Sequence, residues 1–254
     1  MAEMTPMMRQ YLEIKEQNKD AILFFRLGDF YEMFNEDAKL VSAELDLTLT
    51  TRDRAKPEEE RTPMCGVPYH SCDGYIARLI AKGYKVAICE QTEDPAQAKG
   101  LVKRDIIRVI TPGTVDASML EGSAANYICA VCVEGEQAGL CLCDVTTGKT
   151  HATSFAGAGA AESIVNELGP FAPAEAIMND GAYNCPGLKE TLREKFGCRC
   201  DNYGQRRFRP EEAHRLVERQ YGAQAASIIL FANSGGVNTS SLLRLAMHES
   251  TSGL

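Results

Sequence analysis

Ala21-Ile22-Leu23-Phe24-Phe25-Arg26-Leu27-Gly28-Asp29-Phe30-Tyr31-Glu32-Met33-Phe34 decides how the first half of this chain folds. The apolar run Ala21–Phe25 reads as a buried strand. Beyond the Gly28-Asp29 break, Phe34, Ala38, Val41 and Leu45 recur at helical spacing, which predicts a helix over Tyr31–Leu45. Phe30 and Glu32 then stand where a strand turns into a helix, held by rigid elements on both sides. A ring presented there can stack on a flat partner, and a carboxylate two residues away can hydrogen-bond that partner's edge. The competing reading is packing, since aromatics are mostly buried and a glutamate in a first helical turn favours the helix dipole.

Upstream, Thr5 is a good N-cap with Pro6 at the first helical position, and Met7, Met8, Tyr11, Leu12 and Ile14 form one apolar stripe through Asn18. Downstream, Leu47–Thr50 is β-prone, and residues 52–63, charged and carrying Pro57 and Pro63, read as a loop. Gly74–Lys82 is expected to be helical with Gly83 as its stop, Tyr84–Glu90 and Ile106–Ile110 to be strands. Residues 112–125 hold Pro112, Gly113, Gly122, Ser123, Ala124 and Ala125 with little periodicity, so the linker falls there, at 114–125 between domains 1–113 and 126–254. The second domain opens with three strands, Asn126–Val133, Gly139–Val145 and Lys149–Phe155, joined by tight turns. Helix Ala160–Leu168, strand Glu175–Met178 and helices Leu188–Phe196 and Glu211–Gln220 follow. The fold class is α/β throughout: a mixed α/β domain, then a meander with alternating helices and strands that resembles the ribonuclease-H-like architecture.

Of 254 residues, 44% are apolar and 24% charged, as in a folded soluble protein. The apolar runs are too short to span a bilayer, and the start lacks the basic-then-apolar pattern of a secretion signal, so a cytoplasmic location with no membrane partner is expected. The net charge of −8 argues mildly against nucleic-acid binding, which needs clustered Lys and Arg. Two local clusters run the other way: Arg52, Arg54 and Lys56, and Lys99, Lys103, Arg104 and Arg108. Ten cysteines suggest a disulfide or metal framework, but Cys129-x-x-Cys132 lies in a strand-like stretch, where positions three apart face opposite sides. Buried free thiols are the better reading, and no metal site is expected.

Six blocks in order give the sequence a resemblance. Thr5–Tyr11, Phe25–Glu32, Gly66-Val67-Pro68-Tyr69-His70, Ala87-Ile88-Cys89-Glu90-Gln91, Asp94-Pro95 and Arg108–Thr114 are similar to the N-terminal mismatch-recognition domain of the bacterial MutS family. Cys143–Gly148 resembles a hairpin of that family's connector domain. From about residue 223 the family pattern is lost, with Asn233–Asn238 interrupting the expected helix. The resemblance implies double-stranded DNA with mismatches or small loops as ligand, Phe30 as a wedge in the minor groove, and Glu32 as the residue that hydrogen-bonds the displaced base. It places Tyr69 and His70 near the DNA backbone, and Arg104 and Arg108 join them as expected DNA contacts. It further implies MutL as partner and, in full-length form, a homodimer that uses ATP and Mg.

Rival readings remain. The connector half resembles the region that meets MutL, which would make the chain an interaction module. Asp144 ends a strand of the ribonuclease-H-like half, but no carboxylates complete a two-metal nuclease set with it. A Cys–His pair built from Cys65 or Cys72 with His70 lacks the nucleophile–base–orienter geometry. No G-x-x-x-x-G-K-[ST] occurs, so no catalytic residue and no cofactor are expected in this chain.

Overall fold

A computed structural model describes residues 4–52, 57, 60–93, 100–115, 125–208, 215, 218 and 219. They fall into two compact units that divide after Thr111.

In the first unit, α1 (Pro6–Gln17) starts at Thr5, whose hydroxyl accepts the Met8 N–H at 3.3 Å. Strand β1 (Ile22–Leu27) pairs antiparallel with β2 (Phe30–Phe34), and α2 (Asn35–Leu45) follows. Then come β3 (Thr50–Thr51), β4 (Pro63–Pro68), a 3-10 turn at Tyr69–Ser71, α3 (Cys72–Ala81), β5 (Val86–Gln91) and β6 (Arg104–Ile110). The sheet order is β3-β4-β2-β1-β5-β6, with β1 and β5 parallel and every other pair antiparallel.

One side of this sheet buries Leu23, Phe25, Phe34, Ala87 and Cys89 together with Tyr11 of α1. The Tyr11 ring meets Phe25 and Phe34 edge-on, centroids 5.4 and 4.9 Å apart. The alternate residues Phe24, Met33, Cys65 and Val67 are also buried and face the other side. There the Cys65 thiol lies 3.5 Å from the Ala38 carbonyl of α2. Asp37 in the first turn of α2 points inward: Oδ2 accepts the Leu23 N–H at 3.0 Å and Oδ1 pairs with Lys15 at 2.9 Å. The β1–β2 pairing covers only Phe25–Leu27, so Asp37 supplies the acceptor that continued pairing with Phe34 would have given Leu23.

Two expectations are corrected here. Residues 31–34 are strand, not helix; α2 begins at Asn35, whose φ of +53° redirects the chain. Phe30 and Glu32 thus sit on a hairpin strand. Gly66-Val67-Pro68 closes strand β4, and the 3-10 turn starts at Tyr69. Of the extended stretch expected at Leu47–Thr50, only Thr50 joins a strand. The expected basic residues Arg54, Lys56 and Lys99 and the Asp94-Pro95 block lie outside the described residues.

The second unit is a meander of β7 (Tyr127–Glu134), β8 (Gln137–Asp144) and β9 (Thr150–Ala156), then α4 (Ala160–Leu168), β10 (Glu175–Met178), α5 (Asp180–Tyr183), α6 (Leu188–Phe196) and β11 (Arg199–Asn202). The sheet order is β11-β10-β7-β8-β9, with β10 parallel to both β7 and β11, which is the ribonuclease-H-like arrangement. Both faces are buried, which explains the near-continuous apolar strands. Cys129, Val131, Leu140 and Leu142 pack with Ile164, Leu168 and Leu192 of α4 and α6, and Ile128, Cys132, Cys141, Cys143 and Ile177 pack with Phe208. Cys129 and Cys132 therefore face opposite sides, as their spacing requires. All ten cysteines are free thiols, and no metal-binding cluster occurs among the described residues. Pro112 and Gly113 are tied into this unit: the Gly113 N–H donates to Glu175 at 3.0 Å, and the Asn126 side-chain amide donates to both carbonyls. Among the described residues no helix is long and apolar enough to cross a membrane. The helix expected at Glu211–Gln220 falls mostly, and the atypical stretch from 223 entirely, outside the described residues.

Candidate nucleic-acid interface

The β1–β2 hairpin closes through two residues, and Gly28 takes the positive φ of +59° that such a tight turn needs at its first position. Phe30 is the next residue, opposite Leu27 of β1 and Pro68 of β4. Its ring is 46% exposed, unusual for a large aromatic. Along β2 the side chains alternate, so Phe30, Glu32 and Phe34 share one face while Tyr31 and Met33 are buried on the other. Phe34 is buried with Tyr11 of α1. The same face therefore runs from core at Phe34 to solvent at Phe30, with Glu32 at the margin.

Glu32 stands opposite Gly66 of β4. A Cβ at position 66 would come 3.2 Å from the Tyr31 carbonyl, tighter than ordinary contact, and 3.5 Å from Glu32 Cγ, so the glycine keeps β4 close to the β2 backbone. The Glu32 side chain is only 17% exposed and its Oε2 lies 3.4 Å from Arg52 Nη1. Burial raises the Glu32 pKa above the ordinary carboxylate value, and the Arg52 charge opposes that rise.

Tyr69 follows β4 directly. Its N–H donates to the Asp29 carbonyl at 3.0 Å, joining the 3-10 turn to the hairpin tip. The Tyr69 ring is 40% exposed and meets the exposed His70 ring edge-on at 5.8 Å. Under it lies Arg26, its guanidinium 3.5 Å from the ring centroid. Arg26 Nε donates to the Gly28 carbonyl at 2.5 Å, and Nη1 pairs with Glu90 at 3.1 Å. Glu90 also accepts the Tyr31 hydroxyl proton; burial, then this bond, pushes the Tyr31 pKa up. Sequence reasoning missed Arg26 and Glu90 because their meeting depends on the β1–β5 register, which aligns Phe25 with Cys89.

Arg104 departs from the expected set. It is 7% exposed, and its guanidinium donates to the Arg26 carbonyl at 2.7 Å, Gln10 at 3.0 Å and the Val102 carbonyl at 2.9 Å, near the Phe25 ring. Its charge is spent joining α1, β1 and β6 inside the unit. Arg108 is half-buried on β6 opposite Ile88, beside a β-bulge. In the second unit, Asp144 accepts bonds from the Thr146 N–H and the Thr146 and Thr147 hydroxyls at 2.6 to 3.0 Å, capping the turn after β8. Burial acts to raise its pKa, but these bonds prevail and lower it.

Residues 5–118 match the sequence model for MutS domain I, and residues 126–246 match that for MutS domain II. The chain belongs to the MutS family. It is 46% identical over 240 residues to the DNA mismatch repair protein MutS of Acetivibrio thermocellus, covering 93% of this chain and 27% of that protein. It is 50% identical over 218 residues to that of Pelotomaculum thermopropionicum (85% and 25%), and 54% identical over 177 residues to that of Desulforamulus reducens (69% and 20%). The chain thus spans about a quarter of the length of the curated MutS relatives it matches. The two matched stretches correspond to the two units, and the ribonuclease-H-like second unit is a MutS domain II.

Proposed function

We propose that this chain recognises mispaired or looped-out bases in double-stranded DNA as the sensing part of a mismatch-repair protein. The observation that carries the reading is the exposed Phe30 ring on a rigid hairpin, with Glu32 next to it on the same face. Phe30 is the wedge that enters the minor groove and stacks on the base. A mispaired base unstacks at lower cost than a paired one, and a kink costs less at a weakened step, so the wedge selects sites by their give rather than by their sequence. Glu32 hydrogen-bonds the displaced base. As a carboxylate it accepts a base N–H; protonated, it donates to a ring nitrogen, and the burial that raises its pKa favours this second mode beside phosphates. Tyr69, His70 and Arg108 flank the DNA backbone. We assign MutL contact, homodimer formation and coupling to ATP and Mg to the whole protein. The name of these relatives, DNA mismatch repair protein MutS, supports this reading.

The test compares binding of a G·T or single-base-bulge duplex with matched duplex at low salt, for the chain and for Phe30→Ala. The chain is expected to prefer the defective duplex, and Phe30→Ala to lose that preference. Equal binding of both duplexes by the chain, or a preference that survives in Phe30→Ala, refutes the wedge.

A further inference from the structure

We infer that Arg26 is the positioning residue of the wedge: it locks the hairpin tip so that Phe30 leaves the surface at one fixed angle. This inference rests on the wedge reading above. Two carbonyls immediately precede Phe30, and each is tied down from a different element. The Gly28 carbonyl accepts the Arg26 Nε–H at 2.5 Å, and the Asp29 carbonyl accepts the Tyr69 N–H at 3.0 Å. The two ties are themselves joined, because the Arg26 guanidinium lies 3.5 Å from the centre of the Tyr69 ring. Arg26, the turn and Tyr69 thus close a ring around the base of the wedge.

Glu90 on the neighbouring strand completes the lock. It pairs with Arg26 at 3.1 Å and accepts the Tyr31 hydroxyl proton from the strand that carries Phe30. The Arg26 side chain is 16% exposed, so solvent competes little for its pairing with Glu90. Three demands converge on one cation: a stacking plane, an in-plane donor to the turn and a second donor to a carboxylate. A planar guanidinium meets all three together, and an ammonium group does not. Arg26 is therefore held for the protein's own geometry rather than for phosphate. A wedge of this kind discriminates only if its ring cannot swing to follow an intact stack, since holding a group in its productive geometry is what converts contact into selectivity.

The chain has no tryptophan, so Phe30→Trp installs a single fluorescent reporter at the tip. Time-resolved anisotropy of that chain is compared with the same chain carrying Arg26→Gln or Arg26→Lys, without DNA. Both second substitutions are expected to add nanosecond ring motion while circular dichroism and melting stay cooperative. In parallel, the Trp-free Arg26→Gln chain is expected to lose about tenfold in preference for a single-base bulge, the weight of one hydrogen bond to a charged group. Its matched-duplex affinity and salt slope should not change, whereas loss of a phosphate contact would lower both. Unchanged anisotropy in both variants, full rescue by Arg26→Lys, or a fall in matched-duplex affinity would each overturn the positioning role. Phe30→Ala keeps the two claims apart: if it retains discrimination the wedge itself fails, and if it loses discrimination while Arg26→Gln keeps it, only the inference about Arg26 fails.

Discussion

Replacing Asp37 with alanine should unfold the first unit at markedly lower denaturant or temperature. The carboxylate is buried and serves three partners: the Leu23 N–H at 3.0 Å, the Lys15 ammonium at 2.9 Å and the Tyr11 hydroxyl at 3.4 Å. Alanine leaves the Leu23 N–H without its acceptor inside the sheet, a cost of about 1–3 kcal/mol. The Lys15 side chain is 24% exposed and partly rehydrates, which limits its share to about 1 kcal/mol. The Tyr11 hydroxyl keeps its contact with the Phe34 backbone and adds little. The sum is about 3 kcal/mol. For a unit reaching from Met1 to Thr111, an unfolding entropy of about 0.23 kcal/mol/K turns this into a fall of about 13 °C in melting temperature. Calorimetry measures it, and hydrogen exchange at the Leu23 amide localises it. Asp37→Asn keeps an acceptor for Leu23 but not the charge, so its loss should be less than half as large. A cost below about 1 kcal/mol for alanine, or equal costs for alanine and asparagine, would show that the carboxylate does not stand in for a strand at Leu23.

At Gly66, alanine places a Cβ 3.2 Å from the Tyr31 carbonyl; it should cost about 1–2 kcal/mol in urea melts and weaken mismatch preference by shifting the β2 backbone that carries Glu32. Asp144 has a lowered folded pKa, so its contribution is complete above the unfolded carboxylate value near 4 and fades as pH falls through the lower folded one; acid titration of Asp144→Asn should show a shallower loss below about pH 4 than the parent chain. Burial pushes the thiols of Cys65 up to about 11 and of Cys89 and Cys132 up to about 12, so a thiol reagent at pH 8 should leave these three unlabelled until denaturant is added.

Much of this was readable from residue types alone. The meander of the second unit, the α1 cap and the helix ending before Gly83 follow directly from periodicity and turn chemistry. The misplaced start of α2 shows where such reading gives out. Phe34, Ala38, Val41 and Leu45 fit a helix, yet Phe30–Phe34 also alternates outward and inward with period two, and the pairing of β2 with both β1 and β4 resolves the ambiguity in favour of strand. Strand β4 was hidden because Pro63 and Pro68 bracket it and Gly66 interrupts it, residues that read as a loop but occupy its ends and the gap beside Glu32. Phe30 and Glu32 enter the expected set through resemblance, and in the structure they lie on one face of β2. Arg104 looked like part of a basic surface because charge clusters carry no record of which side of a strand each member faces.

The two-residue turn at Gly28-Asp29 has a consequence for how this surface can vary. Because neighbours on a strand point opposite ways, parity alone decides what the hairpin shows to the outside. A one-residue shift of β2 against β1 would bring Tyr31 into the place of Glu32 and put Phe30 and the charged Glu32 on the buried face. A one-residue slip of register is thus closed to this tip, although substitutions at its outward positions are open. A redesign of this tip would have to alter the two outward side chains and leave the count between Leu27 and Phe30 untouched.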